Sequence, residues 1–221
     1  EMIKGLSHEI KNPLGGILGA AQILEKSLSG NYLKFTEIIQ KESDRLVNLL
    51  NDMALPITSV KKSRINIHEA TEHVTDLFKF DSKNKRITFV KDYDPSIPDV
   101  MTNKEQLIQA LINLVRNSIQ ALDHNGKVII RTRTESSYTI ANDKYALVAK
   151  IDIIDNGPGI PEEKLKEIFY PMVSTKNDGM GLGLTIAQSI IMQNSGLIEC
   201  SSKHRETIFT IVLPIRSYED D

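Results

Sequence analysis

The N-terminal part of the chain places its apolar residues at intervals of three or four, the period of one face of an α-helix. The first apolar stripe consists of Ile3, Leu6, Ile10, Leu14, Ile17, Ala21, Leu24 and Leu28. A second stripe follows the stop signal Ser29-Gly30 and consists of Tyr32, Phe35, Ile39, Leu46, Leu49 and Met53. We therefore predict an antiparallel helical hairpin. Because two helices cannot bury both stripes, we expect a second copy to complete a four-helix bundle as a homodimer.

The pattern changes after Leu55-Pro56, where proline disfavours helical backbone in the preceding residue and ends the second helix. The basic stretch Lys61 to Arg64 is interpreted as a linker. The predicted helices beyond it are Ile67 to Phe80, Lys104 to Leu122 and Leu182 to Asn194, and the predicted strands are Arg86 to Lys91, Lys127 to Thr134, Tyr145 to Ile154, Leu197 to Ser201 and Thr207 to Leu213. The chain is thus predicted to be α+β, with the hairpin over residues 1–60 and an α/β sandwich over residues 61–221.

Composition narrows the functional classes. The 221 residues carry a net charge of −2, so no bulk attraction to nucleic acid or to a membrane surface follows. The single cysteine, Cys200, cannot form an internal disulfide and is interpreted as a small buried residue of a strand. No stretch approaches the roughly 20 apolar residues that span a bilayer. We expect a cytosolic fragment whose upstream part is missing, because the chain begins at Glu1 inside a predicted helix.

His8 is a candidate nucleophile on the first helix. It lies two residues from both Leu6 and Ile10, about 200° around the helix from each, so it is predicted to face solvent. A neutral imidazole can accept a phosphoryl group while the adjacent Glu9 takes its ring proton, and Asn12, one turn on, could orient a water. Taken alone, His8 is more often an ordinary surface histidine. The glycines Gly15, Gly16 and Gly19 continue the same side as a bare surface that another protein could approach.

Three further motifs lie in the second domain. Asn113 and Asn117 are four residues apart, so both amides project from one side of a helix and could hold Mg²⁺. Two solvated surface amides are the alternative. Asp155 follows an apolar strand and could accept a hydrogen bond from the adenine amine, while Gly157 and Gly159 let the backbone approach a nucleotide; an ordinary turn is the alternative.

A third group of glycines, Gly179, Gly181 and Gly183, precedes the helix that begins near Leu182. Backbone N–H groups at such a turn and helix start can bind phosphates, although a lone G-x-G-x-G motif is weak evidence. Residues 170–180 contain Lys176 and few apolar anchors, so they are predicted to form a lid over the phosphates.

In order and approximate spacing, these motifs resemble those of sensor histidine kinases over nearly the whole chain. The matching segments are Ser7-His-Glu-Ile-Lys-Asn-Pro13 for the phosphoacceptor box, Asn113 to Asn117 for the N box, Asp155 to Gly159 for the G1 box, Ile168-Phe-Tyr-Pro171 for the F box and Gly179 to Gly183 for the G2 box. More narrowly, residues 8–17 and 168–173 resemble the nitrogen-regulation sensor kinases of the NtrB type.

The resemblance implies a dimerisation and phosphotransfer hairpin followed by an ATP-binding sandwich of the Bergerat type. It implies His8 as phosphoacceptor, Glu9 as general base and Asn12 as a phosphatase residue. It further implies the binding roles of Mg²⁺ ligand for Asn117, phosphate contact for Asn113, adenine acceptor for Asp155 and lid cation for Lys176. The implied partner is a response regulator that accepts the phosphoryl group on an aspartate of its receiver domain.

Two alternatives remain open. Gyrase-type and chaperone ATPases of the same fold carry a water-activating glutamate at the position of Asn113, and an amide cannot take up a proton at neutral pH, which favours a kinase. A module that binds ATP only to set its conformation is the second alternative. The sequence also departs from the usual kinase pattern, with Gln120 in place of a common lysine and His204-Arg-Glu206 in place of a glycine-containing turn.

Overall fold

The structure is a computed structural model that describes residues 2–27, 32–41, 43, 61–81, 86–122, 125–170 and 181–215. Of these, residues 2–13, 27, 80 and 81 are described by their backbone alone. The chain divides into two compact units, Glu1–Val60 and Lys61–Asp221.

The first unit contains two described helices. Helix α1 spans Met2–Ser27, and residues 32–41 and 43 form the described part of α2. Leu14 and Ala21, seven residues apart on α1, are buried, as are Thr36 and Ser43, seven residues apart on α2. Gln40 Nε2 donates a hydrogen bond to Glu25 Oε2 at 2.9 Å, which joins the two helices.

Most of the stripe positions whose side chains the structure describes lie on the surface of this unit. The exposed large apolar side chains of the two helices are Ile17, Ile23, Leu24, Tyr32, Phe35, Ile38 and Ile39. The expectation that one hairpin cannot bury both stripes agrees with this burial pattern. On α2 it is the line through Thr36 and Ser43 that is buried, while Phe35 on the predicted stripe is 60% exposed.

The second unit is built on a five-stranded sheet with strand order β2-β4-β5-β7-β6. Strand β2 (Thr88–Asp92) runs parallel to β4 (Lys127–Ile140), and all other neighbours are antiparallel. The remaining strands are β5 (Asp143–Asp155), β6 (Leu197–Lys203) and β7 (Glu206–Ile215). A separate two-stranded sheet pairs β1 (Ser63–Ile65) with β3 (Val100–Thr102) in antiparallel register.

Helices cover one face of the five-stranded sheet. They are α3 (Ile67–Asp81), α4 (Lys104–Ala121) and α6 (Gly183–Gln193), with α5 (Glu162–Leu165) as a single turn. Helix α4 lies between α3 and α6 and contacts both. The fully buried side chains of this layer come from α4, α6 and the alternating inward positions of β5 and β7, and include Leu107, Leu111, Leu114, Ile151, Ile153, Ile190, Ile191, Phe209, Ile211 and Leu213. The predicted α/β sandwich is confirmed.

Several predicted bounds are wrong. Strand β4 extends to Ile140 rather than Thr134, because Ser136 to Ile140 continue the ladder with β5. Ser63 and Arg64 form β1 instead of a linker, since they pair with Thr102 and Met101. The short elements β1, β3 and α5 were not predicted.

A buried polar junction ties the start of this unit to α4 and α6. The Asn194 side chain donates to Gln106 Oε1 at 3.0 Å and to Ile190 O at 2.9 Å, and accepts from Asn103 N at 3.3 Å. Asn103 is the N-cap of α4, and its own amide donates to Lys61 O at 3.3 Å. These bonds hold the first residues of the unit against two helices of the core.

None of the helices in the described part of the chain combines the length and hydropathy that a bilayer-spanning segment needs.

Candidate functional site

The carboxylate of Asp155 lies at the inward-facing end of β5. Side chains alternate along a strand, so Ile151, Ile153 and Asp155 all face the helical layer. Asp155 is only 2% exposed, and it pairs with Thr207 of β7 in the strand register. Its Oδ1 accepts a hydrogen bond from Gly157 N at 3.0 Å, which begins the following loop as a tight turn. A carboxylate held under the helices in this way offers a fixed acceptor to a ligand.

The loop after Asp155 is closely packed at both of its glycines. A Cβ added to Gly157 would lie 2.8 Å from Asp155 Oδ1 and 3.4 Å from Ala121 O, so a larger residue would displace the carboxylate or α4. Gly159 has φ +85°, and an added Cβ would lie 2.6 Å from Lys203 O. Both glycines are therefore held in close packing against protein atoms, which leave no room for a Cβ. The predicted approach of this backbone to a nucleotide stays a prediction.

One side of α4 connects this loop to the start of α6. Asn113, Asn117 and Ala121 succeed one another at intervals of four and so share a helix side. Ala121 lies against Gly157, and the Cβ position of Gly183, the first residue of α6, is 3.9 Å from Asn113 Cβ and Cγ. The structure thus brings Asn113 and Gly183 together at one end of this helix side, and Asp155 and Gly157 at the other.

The side-chain amide of Asn113 offers a hydrogen-bond donor at the α6 end of this helix side. Its side chain is 8% exposed, and within the described ranges Nδ2 has no hydrogen-bond partner. Leaving a buried amide donor unpaired costs about 1–3 kcal/mol, which a bound anion would recover. The adjoining start of α6 presents backbone N–H groups and the positive end of a helix dipole. Gly181, just before it, has φ +67°. An amide donor and a helix start together suit a phosphate group, and the Asn117 amide oxygen is of the type that Mg²⁺ prefers.

Some predicted residues fall outside this description. Lys176 and Gly179 lie outside the described residues, as does most of the predicted lid. His8, Glu9 and Asn12 lie in the helical backbone of α1, and the direction of their side chains is not among the described features.

Other residues near Asp155 were not anticipated as part of the site. Thr207, its strand partner, is buried, and its Oγ1 lies 3.2 Å from Ser202 Oγ. Burial, and next the negative charge of Asp155, raise the pKa of the Cys200 thiol to about 12. The alternation of β6 and β7 was the available signal, since it places Cys200, Ser202 and Thr207 on the inward side with Phe209.

A small cavity of about 220 Å³ borders the same loop. It is lined by Ala121, Leu122, Asn125, Gly126, Asn156, Gly157, Pro158 and Arg205. Arg205 belongs to the turn between β6 and β7, so that turn and the loop after Asp155 lie side by side. Asn156 fixes the loop to the start of β4, where Lys127 N donates to Asn156 Oδ1 at 2.7 Å.

Two family models match the chain. The model described as histidine kinase-, DNA gyrase B- and HSP90-like ATPase matches residues 102–217, and the His kinase A (phospho-acceptor) domain matches residues 1–55. The first match covers α4, the loop after Asp155 and α6, which carry the site described above.

Relatives and solved structures agree with both matches. The sensory histidine kinase/phosphatase NtrB of Escherichia coli O157:H7 is 44% identical over 98% of this chain, which spans 62% of that relative. The crystal structure of histidine kinase ThkA in complex with response regulator protein TrrA has a TM-score of 0.67, with 28% identity over 98% of this chain and 61% of that one.

A second solved structure agrees in fold. Full-length ShkA in complex with AMPPNP has a TM-score of 0.76 over 98% of this chain and 46% of that one, at 23% identity. The chain therefore belongs to the histidine kinase-, DNA gyrase B- and HSP90-like ATPase family, with a His kinase A (phospho-acceptor) domain preceding the ATPase-like domain, and it is similar over nearly its whole length to the NtrB sensory histidine kinases.

Proposed function

We propose that this chain is the catalytic part of an ATP-dependent histidine autokinase of nitrogen-regulation signalling. Residues 61–221 would bind ATP, and residues 1–60 would form the dimerisation and phosphotransfer hairpin. The observation that carries the proposal is Asn113, a buried amide beside Gly183 at the place where ATPases of this fold carry a water-activating glutamate. An amide oxygen is too weak a base to activate water, so a site that binds ATP here needs another nucleophile.

The binding roles follow from the residues that lie at the two ends of one side of α4, with Asp155 and Gly157 at one end and Asn113 and Gly183 at the other. Asp155 accepts the exocyclic amine of adenine, and Gly157 and Gly159 shape the loop around the base. Asn113 and the turn through Gly179, Gly181 and Gly183 donate to the phosphates, with Lys176 as an additional cation. Asn117 would hold Mg²⁺ through its amide oxygen, and bound Mg²⁺ would supply positive charge beside the phosphates. The side-chain types of Asn113 and Asn117 and the approach of Gly183 fit a magnesium nucleotide.

The nucleophile in this proposal is His8. A lone pair of its neutral imidazole forms the N–P bond while the bond from the γ-phosphorus to the β–γ bridging oxygen breaks, and ADP leaves with that electron pair. Glu9 accepts the proton from the other ring nitrogen, so the phosphohistidine is left neutral at the ring. An aspartate oxygen of a receiver domain then attacks phosphorus and forms an acyl phosphate. The N–P bond breaks with its electron pair returning to the imidazole, which regains its ring proton from Glu9.

Asn12 is assigned to a separate reaction, the hydrolysis of the phosphorylated response regulator. Its amide would orient a water that removes the phosphoryl group from the response regulator, a step that needs positioning more than a strong base. The name histidine kinase/phosphatase of the NtrB relatives supports this assignment. Asn12→Ala should retain autophosphorylation and lose regulator dephosphorylation.

The partner in this proposal is a receiver domain that approaches α1 near its glycines. Nothing in the described structure lies within 4 Å of a Cβ added to Gly15, Gly16 or Gly19, so the backbone there is open to close contact. The solved complex of ThkA with the response regulator TrrA supports a partner of this class. A phosphotransfer profile against isolated receiver domains would identify the specific regulator.

The proposed homodimer is supported by the exposed apolar side chains of α1 and α2. Seven large exposed apolar residues on the described parts of two neighbouring helices exceed the scattered surface apolar residues usual in a monomer. A second copy of the hairpin offers a matching surface, since an isologous contact needs only one self-complementary face. The match of residues 1–55 to the His kinase A (phospho-acceptor) domain supports a dimer formed by the same segment.

Labelling with [γ-³²P]ATP tests the proposal. The chain should incorporate label that is stable in alkali and lost in acid, because a phosphoramidate is acid-labile. His8→Ala should abolish the label while ATP binding, measured by calorimetry, is unchanged. His73→Ala, an exposed histidine of α3, is the matched control and should label normally. Acid-stable label, or normal labelling of His8→Ala, would show that another residue is the nucleophile, and phosphate release without labelling would show an ATPase.

A further inference from the structure

The loop after Asp155 is attached to the rest of the sheet at two points. At its beginning, Asn156 bonds to Lys127 at the start of β4. At its end, Ile160 N donates to Ser202 Oγ at 2.8 Å, which fixes the loop to the hairpin formed by β6 and β7. The first attachment comes from a residue of the loop motif itself, whereas the second comes from a residue outside all of the recognised motifs.

Ser202 uses the whole hydrogen-bonding capacity of its hydroxyl. Its proton is donated to Glu206 O at 3.0 Å, and its two lone pairs face Ile160 N–H and the Thr207 hydroxyl at 3.2 Å. A serine hydroxyl has one proton and two acceptor positions, so these three contacts are mutually consistent. The hydroxyl therefore links the loop, the hairpin turn and Thr207 in one network.

Gly159 shows how closely the loop and the hairpin approach each other. An added Cβ there would lie 2.6 Å from Lys203 O and 3.3 Å from Ser202 Oγ. Thr207, in turn, is the strand partner of Asp155. Ser202 thus contacts both sides of the base-binding end of the site, the loop through Ile160 and the strand beside Asp155 through Thr207.

We propose that Ser202 is a positioning residue that sets the base-binding end of the nucleotide site by holding the loop of residues 156–160 against the β6–β7 hairpin. The proposal rests on the function proposed above, and it concerns the base rather than the phosphates. Asn113 and Gly183 lie at the other end of the α4 side and have no contact with Ser202 among the described hydrogen bonds. Loss of the hydroxyl should therefore weaken adenine binding selectively.

Ser202→Ala in the full chain provides the test, with nucleotide affinity and autophosphorylation kinetics as readouts. Removing one hydrogen-bonded hydroxyl should raise the dissociation constants of ATP and of adenosine by about 5- to 10-fold. The KM for ATP should rise equally, with kcat unchanged at saturating ATP. The dissociation constant of inorganic tripolyphosphate, which probes the phosphate end alone, should remain unchanged. Ser202→Thr, which retains the hydroxyl, should restore adenosine binding.

Ser201→Ala is the matched control, because Ser201 is the neighbouring serine on the exposed side of β6 and should bind every probe normally. Gly159→Ala is an independent second variant, expected to weaken adenosine binding by pushing the loop away from Lys203 O. Adenosine affinity of Ser202→Ala within twofold of the unsubstituted chain would overturn the positioning role. Equal loss of adenosine and tripolyphosphate would overturn it as well, by indicating general destabilisation. Failure of the unsubstituted chain to bind ATP would instead contradict the proposed function.

Discussion

The two units of this chain bury their apolar residues to very different extents. In the sandwich, the large apolar side chains on the inward sides of α4, β5, α6 and β7 are almost completely removed from solvent, and Phe209 is 0% exposed. In the helical unit, the described buried apolar residues are Leu14 and Ala21, whereas Ile23 is 69% exposed and Phe35 60% exposed. The described residues of the sandwich thus form a closed core, while most of the large apolar side chains described in the helical unit are exposed.

This difference separates two sources of stability. Burial of apolar area stabilises by about 25 cal/mol per Å², so a side chain contributes only where its surroundings exclude water. Substitutions in the sandwich should change the free energy of unfolding of that unit at any protein concentration. Substitutions of exposed residues on α1 and α2 should act mainly on association, which depends on concentration.

The largest expected effect is that of Phe209→Ala in the sandwich core. Truncating a fully buried phenylalanine should reduce the free energy of unfolding by about 3–5 kcal/mol, because it removes apolar contacts and leaves a cavity. Phe35→Ala is the matched control and should change the unfolding of the sandwich by less than about 0.5 kcal/mol. Urea unfolding followed by hydrogen exchange in β5 and β7 would measure both. Comparable effects of the two variants would contradict the distinction drawn between the units.

The next largest effect is expected for Ile38→Asp on α2, where Ile38 is exposed in the single chain. If two hairpins associate through this surface, a buried unpaired carboxylate should weaken the dimer by about 100-fold or more, equivalent to roughly 2.7 kcal/mol. Sedimentation equilibrium would measure this change. Glu37→Gln, at the exposed neighbouring position, should leave association unchanged, and ATP affinity should be normal in both variants. An unchanged dimer in Ile38→Asp would exclude this surface as the interface.

The same contrast explains which features the sequence could predict. The period of α4 is local, and its predicted range Lys104 to Leu122 differs by one residue from the observed Lys104–Ala121. The end of β4 could not be predicted from a local pattern, because Ser136 and Ser137 interrupt the strand signal. The strand continues to Ile140 through its pairing with β5. The three residues of β1 are too few to show a period, and their pairing with β3 joins positions nearly 40 residues apart.

The candidate site likewise combines features that a local sequence pattern predicts with a contact that no local pattern predicts. The spacing of Asn113 and Asn117 predicts a shared helix side, and alternation along β5 places Asp155 inward, so both were accessible from local pattern. The contact of Ser202 with Ile160 joins residues 42 positions apart through the packing of a loop on a hairpin. No local period encodes that contact, and a lone serine near a strand end carries no distinguishing signal.

A smaller effect is expected at the polar part of the sandwich core. Asn194→Ala removes hydrogen bonds to Gln106 Oε1, to Ile190 O and from Asn103 N, and it leaves buried polar groups unpaired. The expected loss is about 1–3 kcal/mol of unfolding free energy. Gln193→Ala, one residue earlier and exposed, should stay within about 0.5 kcal/mol of the original chain. Thermal unfolding would compare them, and equal stability of the two variants would show that the junction is energetically unimportant.

The smallest expected effect concerns Cys200, the only cysteine of the chain, so that thiol chemistry reports on the sandwich alone. Burial, and next the charge of Asp155, raise the pKa of this thiol from 9.0 to about 12 in the folded state. Below about pH 9 the thiol is protonated in both the folded and the unfolded chain, and its contribution to stability is fully present. Between about pH 9 and 12 the unfolded chain loses this proton while the folded chain retains it, so the contribution to the free energy of unfolding is lost over that range. The free energy of unfolding should therefore fall more steeply with pH above 9 than it does in Cys200→Ser.

Alkylation gives an independent measure of the same pKa. The thiolate is the reactive species, so at pH 8 iodoacetamide should modify folded Cys200 much more slowly than the same cysteine in guanidinium chloride. Asp155→Asn should increase the rate in the folded chain, because it removes the second cause of the raised pKa. Equal rates in the folded and unfolded chain would mean that Cys200 is solvated, and the sandwich would then be less completely closed at β6 than its buried core indicates.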